Sequence, residues 1–241
     1  MIKNKITMLI MAATIITIGG CCNYIGKERA SSLKDKQIKI VAFGDSITAA
    51  VGLGTEQKWT SLLEKKLNSH KKNIHWTVVN SGIGGNTSRE GLMRFEKDVL
   101  SFQSDIVLVQ FGGNDAGTVA DRAVSVEEFK HNLNIMYEAI KTQMMLLSYP
   151  PIIDDWHSDG KSVRYAAYGG FDRYVELYRQ AARDFCREKN VKIIDIETAL
   201  RKACKEFSTQ EIVMKDGIHL TAKGNEIICQ TVYNDLKKVK K

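Results

Sequence analysis

Four residues in this chain have the right types and spacing to act together on an acyl group. Ser46 stands in Phe43-Gly44-Asp45-Ser46-Ile47-Thr48, where an apolar run ends at a glycine. A serine hydroxyl is a weak nucleophile until a base takes its proton, and imidazole has the pKa for that task. The base must in turn be oriented, usually by a carboxylate. Asp216 and His219 lie three apart in Asp216-Gly217-Ile218-His219, so one turn can carry the carboxylate to the imidazole Nδ1. Attack on an acyl carbon creates an oxyanion that needs preorganised donors. The N–H of Ser46, an N–H within Ser81-Gly82-Ile83-Gly84-Gly85-Asn86 and the amide of Asn114 would supply three. Gly-Asp-Ser alone is also ordinary turn chemistry, so the inference rests on the stretches together.

Such groups can meet only if the elements between them bring their loops to one edge. Ile38–Phe43 has the length and β-forming composition of a buried strand. Trp59, Leu62, Leu63 and Leu67 then share a helical face, and His75–Asn80 reads as a second strand ending in the glycine turn. Thr87 or Ser88 can cap a helix with Leu92, Phe95 and Val99 inward. Asp105–Gln110 is a third strand, followed by Phe111-Gly112-Gly113-Asn114-Asp115. Ser125-Val126-Glu127-Glu128 has the pattern of a capping box, opening a helix striped by Phe129, Leu133, Met136, Tyr137 and Ile140. Met144–Tyr149 is a fourth strand, stopped by Pro150-Pro151. Residues 150 to about 170 read as an irregular surface segment, with Trp156 and its neighbours a candidate lid. A helix over Asp172–Glu188, a strand over Val191–Ile196 and a helix over Ala199–Phe207 follow. A last helix buries Ile227, Ile228, Thr231, Val232 and Leu236. Five strands alternating with helices predict an α/β fold, a three-layer αβα sandwich around a parallel, flavodoxin-like sheet.

With these blocks in place the sequence resembles the GDSL, or SGNH, hydrolase family over about residues 38 to 236. The motifs that carry the likeness occur in order: Gly44-Asp45-Ser46, Asn80-Ser81-Gly82-Ile83-Gly84-Gly85, Gly112-Gly113-Asn114-Asp115 and Asp216-Gly217-Ile218-His219. The resemblance implies Ser46 as nucleophile, His219 as base and Asp216 as its orienting group. It implies an oxyanion hole of Ser46, Gly85 and Asn114; Gly85 ends the family pattern just before the next helix, and Gly84 stands open beside it. Asp45 and Asp115 are expected to brace the turns. The second block, with Thr87-Ser88-Arg89-Glu90-Gly91-Leu92 after it, is similar to bacterial lysophospholipases and acyl thioesterases. The expected activity is therefore a serine esterase acting on acyl esters, lysophospholipase-, thioesterase- or arylesterase-like. The alternative is a carbohydrate O-acetylesterase acting on cell-wall or extracellular polysaccharide. No cofactor or metal is implied.

Competing readings fail on spacing. Gly82, Gly84 and Gly85 do not make G-x-G-x-x-G, and Asn80 stands where a dinucleotide site needs an acidic residue. Ser46 lacks the second glycine of G-x-S-x-G. A non-catalytic binding module would be expected to have lost one of Ser46, Asn114, Asp216 or His219. His70, His75, His131 and His157 match no motif, and Asp154-Asp155 near His157 offers too few oxygens for a hard cation.

The chain has 241 residues, a formal charge of +7 and 44% hydrophobic residues, enough for one sizeable core. The lysines are scattered apart from the tail Lys237-Lys238-Val239-Lys240-Lys241, which argues against a nucleic-acid partner. Lys3 and Lys5 precede an apolar run from Ile6 to Ile18, and Ile18-Gly19-Gly20 leads into Cys21. That is a secretory signal over residues 1–20, too short for a bilayer span. Its ending resembles the lipobox of bacterial lipoproteins, which implies a lipid on Cys21 and anchorage in the cell envelope, outside the cytoplasm. Residues 21–37 read as a tether and 38–241 as the hydrolase domain. Cys186, Cys204 and Cys229 fall in predicted helices as small hydrophobes, and no C-x-x-C pair occurs.

Overall fold

The computed structural model describes residues 36–69, 73–117 and 121–238; the expected signal, Cys21 and nearly all of the expected tether lie outside them. The elements run β1 (Lys36–Gly44), α1 (Ser46–Ala49), α2 (Trp59–Asn68), β2 (Ile74–Gly82), α3 (Ser88–Asp98), β3 (Ile106–Gln110) and α4 (Gly113–Gly117). They continue as α5 (Val126–Ala139), β4 (Gln143–Leu147), α6 (Phe171–Lys189), β5 (Lys192–Ile194), α7 (Ile196–Glu206), α8 (Thr209–Ile212) and α9 (Ala222–Lys238).

The five strands form one sheet in the order β2-β1-β3-β4-β5, and every pairing is parallel. Helices α2, α7 and α9 pack together as one layer, and α3, α5 and α6 as the other. The expected αβα sandwich is what the chain forms. Covered on both faces, β1 has no solvent side, so Ile40, Val41, Ala42 and Phe43 are all fully buried. The strand order reverses at β1, which pairs with β2 on one side and β3 on the other. Open α/β sheets form their ligand crevice beyond the carboxyl ends of the strands at such a reversal. Ser46 and Asn114 follow the two strands that flank it.

Local chemistry explains where the elements depart from expectation. β1 begins at Lys36, two residues inside the stretch read as tether. Strand β5 stops at Ile194 because Asp195 caps α7, its Oδ1 accepting the Thr198 N–H at 3.0 Å. Ile196, expected to end the strand, is instead a helical residue. Ser125 does cap α5, accepting the Glu128 N–H at 3.1 Å, but the Glu128 carboxylate pairs with Arg89 and closes no box. The complete capping box is at α3, between Thr87 and Glu90. The segment after the proline pair is more ordered than an irregular loop. It holds a 3-10 helix over Val163–Tyr168, and Tyr165 is buried, donating its hydroxyl to the Ala116 carbonyl at 3.3 Å. Asp154 accepts the Asp172 N–H at 2.9 Å at the start of α6, and Asp155 pairs with Lys161. Cys186, Cys204 and Cys229 are free thiols, and no described helix is long and apolar enough to cross a membrane.

Candidate active site

Ser46 opens α1 directly beyond β1. The preceding Asp45 caps that single turn, its Oδ1 accepting the Ile47 N–H at 2.9 Å and its carbonyl accepting the Ala49 N–H at 2.9 Å. Ser46 is 7% exposed, and its hydroxyl makes no hydrogen bond among the described residues.

The glycine turn lies against this serine. Ile83 N–H donates to the Gly44 carbonyl at 3.1 Å, carrying the β1–β2 ladder one step past the strands. A methyl group built on Gly84 would stand 3.8 Å from Ser46 Cβ and 3.5 Å from Val51 Cγ2, so Gly84 is the glycine that abuts the serine. Gly85 has φ of +78°, a backbone that glycine adopts most readily, and faces open space. Neither Gly84 N–H nor Gly85 N–H is bonded within the described fold.

Asn114, the second residue of α4, joins the two stretches. Its Nδ2 donates to the Asn86 carbonyl at 3.1 Å and to Asp45 Oδ2 at 3.3 Å. The loops after β1, β2 and β3 therefore meet, although Ser46, Asn86 and Asn114 are distant in the chain. Burial pushes the Asp45 carboxyl up to about 7, with the nearby Asp115 adding to the rise and the Ile47 N–H opposing it. Burial likewise raises Asp115 to about 6, against hydrogen bonds from Ser88. Both carboxyls brace turns, as expected: Asp45 holds α1, and Asp115 ties α4 to the first residue of α3.

The histidine sits in a hairpin closed by the Val213–Leu220 bridge, with Met214 N–H donating to the His219 carbonyl at 2.8 Å. Asp216 Oδ1 accepts the N–H groups of Ile218 at 3.0 Å and His219 at 2.9 Å, while Oδ2 stands 2.7 Å from His219 Nδ1. Burial alone would raise the Asp216 pKa; these hydrogen bonds outweigh it and hold the carboxyl below its ordinary value. A carboxylate at Nδ1 selects the Nδ1–H tautomer and leaves Nε2 with a lone pair. The hairpin lies beside the serine's loop. The end of the Met214 side chain would be 3.3 Å from a methyl group on Gly52, and Val51 next to it donates its N–H to the Ser46 carbonyl. No hydrogen bond joins Ser46 Oγ to His219 Nε2.

Sequence reasoning did not foresee what supports this hairpin. Ile153 N–H donates to the Gly217 carbonyl at 2.8 Å, and the backbone of Trp156 and His157 leaves no room for a side chain at Gly217, whose φ is +76°. The His157 ring stacks on Phe171 at 5.0 Å, and its Nδ1 accepts the Asp159 N–H at 3.1 Å. It is a packing residue, and burial lowers its pKa. Only the backbone carries this contact, so no motif announces it. Among the described residues no cluster of histidine, cysteine or acidic groups is arranged to hold a metal.

The sequence pattern of the GDSL-like lipase/acylhydrolase family matches residues 42–227, which takes in every group described above. The chain belongs to this family. As a GDSL-family protein it is a carboxylic ester hydrolase. It is 32% identical over 205 residues to esterase TesA of Pseudomonas aeruginosa, covering 82% of this chain and 87% of that one. It is 26% identical over 216 residues to the lipoprotein YqeF of Bacillus subtilis, covering 80% and 87%. The crystal structure of a lipase/acylhydrolase from Enterococcus faecalis superimposes with a TM-score of 0.67 at 25% identity, covering 85% of this chain and 99% of that one.

Proposed function

We propose that this GDSL-family hydrolase cleaves acyl esters through a covalent acyl-enzyme on Ser46. His219 Nε2 takes the hydroxyl proton as Ser46 Oγ attacks the ester carbonyl. The tetrahedral oxyanion is held by the Ser46 N–H, a glycine-turn N–H and the Asn114 amide, whose longer bond, to Asp45, is the one an oxyanion would take over. Collapse expels the alcohol, which leaves with the proton from the imidazolium. Water then attacks the acyl-enzyme, with His219 again as base, and releases the acid. Asp216 stays ionised and fixes the imidazole throughout.

The observation that carries this reading is the Asn114 amide, bonded both to the residue before Ser46 and to the residue after Gly85. Gly84, the glycine against Ser46, shares the oxyanion role with Gly85 as the second candidate. The apolar side chains of Val51 and Ile83 are 42% and 45% exposed beside this glycine, which favours an acyl chain over an acetyl group. The Ser46→Ala variant should lose at least about a thousandfold in hydrolysis of a short p-nitrophenyl ester with its unfolding transition unchanged. Retained activity would remove the assignment. A chain-length series of p-nitrophenyl esters beside an acetylated polysaccharide separates the substrates; a steep preference for acetyl would favour the carbohydrate reading.

The proposal includes a lipid on Cys21 that tethers the enzyme to a membrane of the cell envelope, outside the cytoplasm. The Ile18-Gly19-Gly20-Cys21 ending and the relative named as a lipoprotein support it. Fatty-acid labelling of the parent but not of Cys21→Ala is the expected result.

A further inference from the structure

Arg94, on the second turn of α3, touches none of the candidate reacting groups, yet its guanidinium reaches both strand ends that flank Ser46. Nη2 donates to the Gly44 carbonyl at 2.8 Å, at the end of β1. Nη1 donates to the Ser81 carbonyl at 2.8 Å, near the end of β2, and to Asp98 Oδ2 at 3.0 Å. Nε donates to Asn86 Oδ1 at 2.7 Å, in the turn between Gly85 and α3. The guanidinium lies over the Phe43 ring, 4.5 Å from its centroid, and the side chain is only 13% exposed. Four N–H bonds and one face of the plane are thus spent, and three of the four bonds go to the serine strand and the oxyanion turn.

The geometry points to Arg94 as a positioning residue for the oxyanion hole. The inference rests on the Ser46 and Asn114 roles proposed above. The Gly44 carbonyl takes two donors, Arg94 and the Ile83 N–H, so one atom fixes the glycine turn relative to the residues that lead into Ser46. Asn86 is clamped from both sides: its side chain accepts from Arg94, and its carbonyl accepts from the Asn114 amide. The chain Arg94–Asn86–Asn114 therefore fixes the direction in which that amide donates. Preorganised donors stabilise a developing charge because they need not reorganise when it forms. A misplacement of about 1 Å can cost on the order of a hundredfold in rate. Lysine cannot substitute, since an ammonium lacks the planar fork that reaches acceptors on three sides while its face covers a ring.

The test compares Arg94→Lys, Asn114→Ala and the double variant on a p-nitrophenyl ester, with thermal unfolding measured on each. Arg94→Lys should fold and lose about ten- to a hundredfold in kcat with KM changed less than about threefold. In the double variant the two losses should fall well short of multiplying, because both act on one amide. A residue serving only to hold the fold would lower the unfolding temperature and leave kcat of the folded fraction unchanged; a residue acting apart from that amide would lose kcat by a factor that multiplies with the loss in Asn114→Ala. Either result overturns the inference. If Arg94→Lys does not fold, Asn86→Ala removes the same link, and an unchanged kcat there overturns it equally. Should Asn114→Ala itself retain full activity, the oxyanion reading fails instead, and the two failures are told apart.

Discussion

Asp216 is bonded to His219 twice, through the ring at 2.7 Å and through the backbone N–H at 2.9 Å, using both carboxylate oxygens. One side chain thus shapes the turn and aims the imidazole that the turn carries.

This double role separates in Asp216→Asn. The amide oxygen can still accept the backbone N–H groups, so the turn survives, but an NH2 group facing Nδ1 would favour the wrong tautomer. The expected loss in kcat is on the order of 10²- to 10⁴-fold, with little change in thermal unfolding. Steady-state kinetics beside calorimetry checks both halves.

Asp45 and Asp115 give the fold an unusual response to pH. Burial raises the folded-state values to about 7 and about 6 from 3.8, so between these limits the folded chain binds more protons than the unfolded one. Stability therefore rises as pH falls through this window, and is lost as pH climbs through it. Half-buried His157, its pKa lowered, contributes the opposite slope below its ordinary value of 6.5. Asp45→Asn removes only the first contribution and should flatten the profile by at most about 1.4 kcal/mol per pH unit between roughly pH 4 and 7. Urea unfolding of parent and variant at about pH 5 and about pH 8 measures it; identical slopes would refute it.

Arg179 and Arg201 share the partners Asp172 and Glu197 but differ in setting. Arg179 is fully buried and also donates to the carbonyls of Tyr149 and Pro150, just beyond β4. Replacing it by methionine takes the buried cation from Asp172 and Glu197, which keep Arg201, and leaves the Tyr149 and Pro150 carbonyls without their donor; it should cost about 3–5 kcal/mol. Arg201, with its side chain 41% exposed, should cost about 1 kcal/mol or less on the same change. Denaturant unfolding of both variants tests the contrast.

Much of this was readable in the residues because it follows from period and turn chemistry. The apolar run through Phe43 marks a strand covered on both faces, and the glycines after β2 mark its turn. The pair Asp216 and His219 announces a hydrogen bond that a three-residue spacing permits. Other features have no local signal. The single turns α1, α4 and α8 are too short to show a period. Asp195 decides between cap and strand by where its side chain turns, and Glu128 abandons its own backbone for Arg89. Arg94 looks like one more basic residue on an amphipathic helix until the strand ends surrounding it are known.

The bond from Ile153 to Gly217 has a consequence for what this enzyme can admit. The stretch that follows the two prolines is fastened to the hairpin that holds the imidazole, by this bond and by the packing of Trp156 and His157 against Gly217. Making space for a bulky guest by moving that stretch would pull on the hairpin that carries His219, the proposed proton acceptor. On the proposed role of His219, tolerance for large esters and accuracy of proton transfer would be mechanically opposed in this molecule.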